Sequence, residues 1–221
     1  MGLADITSIS PGIKHAEVLL THSHWDHIGG AADFASVSVF DSPFEVERLK
    51  KGWRLEEMVG FSKEFFSAPF PADFFPEVFD IPGVNEFTTF KDQENIDLGN
   101  ITVQVIHIPG HTPGSACFFI PELGYLFTGD TLYAGPEYLH LPESDWKQYF
   151  LSLLKIKELT VNKLKMIFPG HNGFTASQEL LDRHILAGYG FIQPASIEQG
   201  IDDFGSNTKK YYGDFSLMIP R

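Results

Sequence analysis

Three histidines and an aspartate follow a short apolar run near the start of the chain. The apolar run covers residues 18–20, and the polar residues after it are His22, His24, Asp26 and His27. In an extended or turning segment alternate side chains point the same way, so His22 and His24 can share one ion while Asp26 and His27 reach a second. This spacing indicates a metal site at the end of a buried strand, and a solvated polar loop is the weaker alternative.

Three further candidate ligands each follow a strand-like run and a glycine. They are His111 in Pro-Gly-His-Thr-Pro-Gly-Ser, Asp130 in Phe-Thr-Gly-Asp-Thr and His171 in Phe-Pro-Gly-His-Asn. Each of these residues alone is typical of a turn with a capping side chain. Together with the first motif they complete two sets of nitrogen and oxygen donors, which suit zinc or another borderline divalent ion.

Strand-like and helix-like segments interleave along the chain, which predicts an α/β fold in a single domain spanning residues 1–221. The predicted strands cover residues 18–21, 37–40, 101–108, 117–120, 125–128 and 166–169, with a late strand or hairpin at 210–219. Helices are predicted after capping boxes that begin at Ser42 and Thr175, the first formed with Glu45. A third helix is predicted over residues 144–159, with Ser144 as its cap.

Charge and composition restrict the partners and the location of the protein. Lys and Arg number 16 against 29 Asp and Glu, so the net charge of −13 works against binding to nucleic acid or to anionic lipid. We find no apolar run near the roughly 18 residues that cross a bilayer, and no secretory signal precedes the first motif. The only cysteine, Cys117, allows no internal disulfide. These features predict a cytoplasmic protein without membrane or nucleic-acid partners.

The order His-x-His-x-Asp-His, Gly-His, Gly-Asp, Gly-His over residues 22–171 resembles the metallo-β-lactamase fold superfamily. The resemblance implies a four-layer αββα sandwich that holds two divalent metal ions, with zinc expected and iron or manganese as alternatives. It implies a first metal site formed by His22, His24 and His111. It implies a second site formed by Asp26, His27 and His171, with Asp130 bridging the two ions. Superfamily members usually begin with several strands before the first motif, but only 21 residues precede His22, so we expect a shortened amino-terminal half.

Two divalent ions about 3.5–4 Å apart can share a water, lower its pKa and leave a bridging hydroxide able to attack a carbonyl or phosphoryl centre. The expected reaction is therefore hydrolysis of a small ester, thioester or lactone, with Asp26 or Asp130 accepting a proton. The glycine motifs are similar to those of hydroxyacylglutathione hydrolases, but the basic, glycine-rich stretch expected after Asp130 is replaced by Tyr-Ala-Gly-Pro-Glu. Tyr133 resembles a catalytic tyrosine of N-acylhomoserine lactone lactonases. The alternative is a buried tyrosine whose hydroxyl bonds to neighbouring backbone.

Two other functions remain open at this point. A mononuclear iron sulfur dioxygenase on the same scaffold would use only His22, His24 and His111. A metal-stabilised binding or assembly module would use the metals without turnover.

An aromatic-rich stretch lies between the first two motifs. Residues 53–79 contain Phe61, Phe65, Phe66, Phe70, Phe74, Phe75 and Phe79 and are interrupted by three prolines. Such a segment is interpreted as an insertion that forms a lid, a subunit contact or a satellite core. Because the shortened amino-terminal half leaves a sheet edge uncovered as well, we expect a homodimer.

Overall fold

The computed structural model of the protein describes residues 15–58, 75, 78–173, 178–202 and 205–221. Its strands are β1 (Val18–Leu19), β2 (Val37–Phe40), β3 (Thr88–Phe90), β4 (Asn95–Asp97), β5 (Thr102–His107), β6 (Ala116–Ile120), β7 (Tyr125–Gly129), β8 (Pro136–Tyr138), β9 (Met166–Pro169), β10 (Ser196–Asp202), β11 (Gly205–Tyr211) and β12 (Ser216–Pro220). Its helices are α1 (Trp25–Ile28), α2 (Pro43–Lys51), α3 (Trp146–Thr160) and α4 (Gln178–Gly188). Short 3-10 helices cover Ala31–Asp33 and Leu55–Glu57.

The strands form three sheets. An amino-terminal sheet has the parallel order β1-β2-β3, and a central sheet has the order β4-β5-β6-β7-β9. The central sheet is antiparallel except for its last pair, β7 and β9, which run parallel. A carboxy-terminal sheet, β10-β11-β12-β8, places the predicted late hairpin beside β8.

Alternation along β2 explains how the layers stack. Val37 and Val39 face α2 and pack with Leu49. Phe40 points the other way, toward the central sheet, where it packs with a cluster that includes Phe118. The opposite face of the central sheet packs on α3 and α4 in the largest core cluster. The layers are therefore helix, sheet, sheet and helix, and the expected αββα sandwich is confirmed.

The topology brings the motif loops to one edge of the central sheet. Strands β5, β7 and β9 share one direction, so the loops after them leave the sheet on the same side. The loop after β1 joins them, because the amide of Ala116 donates to the carbonyl of Thr21 over 2.8 Å. The amide of Gly170 likewise donates to the carbonyl of Gly129 over 2.9 Å, which ties the ends of β7 and β9 together.

Helix caps differ from two of the predictions. Helix α2 begins at Pro43 as predicted, but the Ser42 hydroxyl makes no capping hydrogen bond. The cap of α3 is Asp145, whose carboxylate accepts the amides of Lys147 and Gln148. Ser144 was the wrong residue for this cap, because its hydroxyl donates instead to the carbonyl of His111 over 2.8 Å.

Two sequence predictions concern residues outside the part of the chain that the structure describes. The capping box at Thr175 and most of the aromatic-rich stretch, from Phe61 to Phe74, lie outside the described residues. The amino-terminal segment 1–14 lies outside them as well. Among the helices that the structure describes, none combines the length and the apolar character required to cross a membrane.

Candidate metal centre

The seven candidate ligands lie on four segments that follow strands at the shared edge of the sheets. His22 and His24 occupy the extended segment between β1 and α1, and Asp26 and His27 lie on α1 itself. The other three follow β5, β7 and β9, and they are His111, Asp130 and His171. The structure therefore brings together every ligand position that the sequence indicated, and it separates them into two clusters.

The first cluster consists of three buried imidazoles. His22, His24 and His111 are exposed by 1%, 8% and 2%, and their candidate ligand atoms all lie within 4.8 Å of one another. Nδ1 of His24 is 2.9 Å from Nε2 of His111. Three imidazoles that converge in this way are a donor set for zinc or iron.

The second cluster combines two imidazoles with two carboxylates. Its members are Asp26, His27, Asp130 and His171, and it is more exposed than the first. Nε2 of His171 lies 3.2 Å from an oxygen of Asp26 and 3.2 Å from an oxygen of Asp130. The mixed nitrogen and oxygen donors fit a divalent ion such as zinc, iron or manganese.

Asp130 stands between the clusters. Its Oδ2 lies 3.2 Å from Nε2 of His171 in the second cluster and 3.6 Å from Nε2 of His111 in the first. Its Oδ1 lies 2.9 Å from Nε2 of His27. A single carboxylate thus faces donor atoms of both clusters.

Hydrogen bonds on the outer nitrogens fix two of the three imidazoles of the first cluster, those of His24 and His111. Nδ1 of His111 donates to the carbonyl of Tyr138 over 3.0 Å, and Nε2 of His24 donates to the Glu143 carboxylate over 2.7 Å. Carbonyl and carboxylate oxygens only accept, so the protons lie on these outer nitrogens. The lone pairs of both rings then point into the cluster, as metal ligation requires.

Unpaired polar atoms support the fit of a metal at both clusters. Within the described part of the chain, Nε2 of His22, Nε2 of His27 and Oδ1 of Asp130 are buried and make no hydrogen bond. The last two atoms are 2.9 Å apart but lack the geometry of a hydrogen bond. Buried polar atoms are rarely left without a partner, so these three unpaired atoms fit ligand positions for metal ions.

The electrostatics of the two clusters differ. Burial lowers the pKa of the His111 imidazole to about 4, and burial also holds the pKa of His22 well below its usual value. Hydrogen bonds to Asp130 and Asp26 raise the pKa of His171 to about 10. His22 and His111 therefore favour the neutral imidazole, whereas His171 is held by two carboxylates.

Tyr133, the candidate substrate contact, lies next to the second cluster but is 1% exposed. Its ring centroid is 5.9 Å from that of His171, and its hydroxyl donates to the carbonyl of Pro136. The structure thus shows the arrangement that the sequence left as the alternative, in which the hydroxyl proton is committed to neighbouring backbone. A catalytic role for Tyr133 remains a prediction.

Two carboxylates with contacts around the first cluster were not among the sequence candidates. Glu143 bonds to His24, and Glu45 is fully buried between the loops that carry the ligands. Glu45 was predicted to complete a capping box, and Glu143 lies in a loop without a recognisable pattern. Neither has a local sequence signal for its role, because both act through residues that are distant along the chain.

The order of the motifs, the αββα layers and the paired clusters together define a family. Residues 16–171 match the Metallo-beta-lactamase superfamily, and the chain belongs to it.

Relatives and solved structures are similar to about three quarters of the chain. The chain is 30% identical over 161 residues to the acyl-coenzyme A thioesterase MBLAC2 of Gallus gallus, covering 72% of this chain and 57% of that protein. It is 30% identical to the hydroxyacylglutathione hydrolase GloC of Haemophilus influenzae, covering 72% and 69% of the two proteins. Among solved structures, TTHA1623 in a di-iron-bound form is 25% identical, with a TM-score of 0.51 over 76% of this chain and 74% of that one. The chain spans less than two thirds of the length of the MBLAC2 relative.

Proposed function

We propose that this protein is a dinuclear metal-dependent hydrolase that cleaves a small thioester. The position of Asp130 carries the proposal, because one of its oxygens faces imidazole nitrogens of both clusters at 3.2 and 3.6 Å. The first ion would be held by His22, His24 and His111. The second would be held by Asp26, His27 and His171, with Asp130 shared.

Bound divalent ions at these positions supply Lewis-acid polarisation of a carbonyl oxygen and a nucleophilic water at neutral pH. The chain itself orients the ligands through Tyr138 and Glu143 and keeps the first cluster out of solvent. Asp26 is the more accessible carboxylate, with a side chain 29% exposed against 7% for Asp130. We assign proton acceptance to these two carboxylates, with Asp26 better placed to exchange a proton with solvent.

The names of the relatives favour a thioester over the other acyl compounds that the sequence allowed. MBLAC2 is an acyl-coenzyme A thioesterase and GloC a hydroxyacylglutathione hydrolase, and both of these substrates carry an acyl group on sulfur. Esters and lactones undergo the same attack at a carbonyl carbon and are the comparison substrates. The missing basic stretch after Asp130 makes glutathione itself the weaker choice of thiol.

A substrate panel on the metal-loaded protein tests this function. The purified chain is reconstituted separately with zinc, manganese and iron, and bound metal is counted by elemental analysis. Release of free thiol from acyl-coenzyme A and acylglutathione is then compared with hydrolysis of oxygen esters and lactones. We expect two ions per chain and thiol release. A chain that binds two ions and cleaves nothing in the panel would favour the non-catalytic module.

The sulfur dioxygenase alternative is less well supported by the site. That reaction would use only the three imidazoles of the first cluster, whereas Asp26, His27, Asp130 and His171 form a second complete donor set. Oxygen uptake with a glutathione persulfide after anaerobic iron loading separates the two enzymes. Uptake without thioester cleavage would replace the hydrolase proposal.

Metal identity, assembly and location complete the proposal. Zinc is the proposed ion because the first cluster presents three imidazoles, and the di-iron structure makes iron the main competitor.

We propose a homodimer, supported by Ile197 and Ile201 on strand β10 at the edge of its sheet, which are 56% and 81% exposed. Light scattering at micromolar concentration tests the dimer, and a monomer mass would reject it. A cytoplasmic location remains the sequence-based proposal.

A further inference from the structure

We propose that Glu45 is a positioning residue that locks together the two loops carrying the first metal site, and this inference rests on the proposed dinuclear centre. Glu45 lies in the first turn of α2, is 0% exposed and is not itself a candidate ligand. Its carboxylate lies between the loop of His22 and His24 and the loop of His111. Each of its two oxygens accepts hydrogen bonds from one of these loops.

Oε2 of Glu45 holds the loop between β1 and α1. It accepts the amide of Ser23 over 2.7 Å and the hydroxyl of the same residue lies 2.6 Å away. Ser23 is the residue between His22 and His24, and its carbonyl accepts the indole N–H of Trp53 over 2.8 Å. Every backbone and side-chain polar group of Ser23 is therefore bonded, which fixes the direction of the two flanking imidazoles.

Oε1 of Glu45 holds the loop after β5. It accepts the hydroxyl of Thr112 over 2.6 Å and the amide of Gly114 over 3.1 Å. Thr112 directly follows His111, so this oxygen acts on the third ligand of the same cluster. The approach is close, because a Cβ placed on Gly114 would lie 2.2 Å from Cγ of Glu45. A glycine at this position lets the carboxylate reach the loop.

A carboxylate at position 45 can accept all of these hydrogen bonds, but a side-chain amide cannot. Each oxygen of Glu45 accepts one backbone amide, from Ser23 on one side and from Gly114 on the other. In a Glu45→Gln variant the side-chain NH₂ faces one of these two N–H groups in either orientation. Hydroxyl groups can rotate to accept from an NH₂ group, but a backbone N–H cannot. One loop must therefore shift or leave a buried donor unpaired.

Metal titration of Glu45→Gln tests the inference. Wild type and variant are titrated with Co²⁺ and with Zn²⁺, following the cobalt absorption bands and the heat of binding so that the two sites are resolved. We expect the first-site affinity to fall roughly 10- to 100-fold, as when an outer partner of a metal ligand is lost. The affinity of the second site should be unchanged, since Glu45 touches none of its four members.

Two further variants sharpen the comparison. Thr112→Val removes one donor to Oε1 and should weaken the first site less than Glu45→Gln does; it also provides the measurement if Glu45→Gln does not fold. Glu57→Gln is the matched control, because Glu57 bonds to Lys51 at the far end of the same helix and touches neither loop. This control should bind both ions as the wild type does.

The possible outcomes separate this inference from the proposed function. Unchanged first-site affinity in both Glu45→Gln and Thr112→Val would overturn the positioning role while leaving the dinuclear centre intact. An equal loss of metal affinity at both sites would also overturn it, because a general destabilisation of the fold would weaken both sites alike. A wild-type chain that binds no ion would instead reject the dinuclear centre, and the inference with it.

Discussion

Nε2 of His24 donates to Oε1 of Glu143 over 2.7 Å, across 119 residues of sequence separation. The contact fixes the ring so that Nδ1 points at Nε2 of His111, 2.9 Å away. The carboxylate also fixes the tautomer of the imidazole, as outer partners of metal-binding histidines do. Glu143 therefore links the loop before α3 to the first metal site.

Loss of this carboxylate should weaken the first site. We expect Glu143→Ala to lower first-site affinity roughly 10- to 100-fold and to leave the second site unchanged. Glu143→Gln keeps one acceptor oxygen for His24 and should have a smaller effect. Competition with a chromogenic zinc chelator measures both affinities. If Glu143→Ala binds both ions like the wild type, the contact with His24 has no part in metal binding.

The candidate site could be read from the sequence because its residues follow strands at short, regular spacing. His22 and His24 were placed by the strand that precedes them, and His111, Asp130 and His171 by glycines at strand ends. The fold then brings these loop ends to one edge. The bounds of β1, β2, β5, β6, β7 and β9 were predicted within one or two residues, as for β2 at Val37–Phe40. Strands β3, β4, β8 and β10 were not predicted, and β11 begins at Gly205, ahead of the predicted late strand or hairpin at 210–219.

The residues that support the site could not be predicted in the same way. Glu45 has the sequence context of a capping box, and only the packing of Gly114 against α2 turns its carboxylate toward the loops. Ser144 has the composition of a helix cap, but the carbonyl of His111 takes its hydroxyl and Asp145 caps the helix instead. In each case a contact between segments that are distant along the chain determines the role of the residue, and the local sequence pattern does not indicate that contact.

Removal of the shared carboxylate should cost more metal than removal of a ligand from either cluster. We expect Asp130→Ala to lose both ions, because Asp130 faces His111 and His171 and neutralises charge between them. His24→Ala should lose the first ion and abolish hydrolysis, and His171→Ala should lose the second. Elemental analysis after dialysis measures the bound equivalents. Retention of one ion by Asp130→Ala would show that its carboxylate does not bridge.

Removal of the Tyr133 hydroxyl tests whether this group contacts the substrate or has a structural role. Because it donates to the carbonyl of Pro136, we expect Tyr133→Phe to keep both ions and to lower kcat/KM by less than about 10-fold. A loss on the order of 10²-fold with full metal content would instead match a lost oxyanion or leaving-group contact. Steady-state kinetics on the preferred thioester, with metal content measured on the same samples, distinguish the two.

A buried carboxylate away from the ligands gives the protein a defined dependence of stability on pH. Glu137 on β8 is 0% exposed, and its Oε1 accepts the amide of Tyr133 over 2.9 Å. Tyr149 of α3 and His184 of α4 face it, with Nε2 of His184 at 3.5 Å. Burial raises the pKa of Glu137 above its ordinary value of 4.5, and His184 offsets this only in part. The folded state therefore holds this proton more tightly than the unfolded state.

The sign of the effect follows from linkage. As the pH rises above 4.5, the unfolded chain releases the Glu137 proton first, so this group lowers the free energy of unfolding. Glu137→Gln does not titrate and should gain stability relative to wild type between pH 5 and pH 8. Urea unfolding at both pH values, with chelator present to fix the metal content, measures the difference. Glu57 should show the opposite dependence on pH, because the hydrogen bond from Lys51 lowers the pKa of Glu57 to about 2. The stability that ionised Glu57 contributes is lost as the pH falls from 4.5 toward 2, and Glu57→Gln removes this dependence. Parallel stability curves for wild type and Glu137→Gln would show that Glu137 titrates alike in the folded and unfolded states.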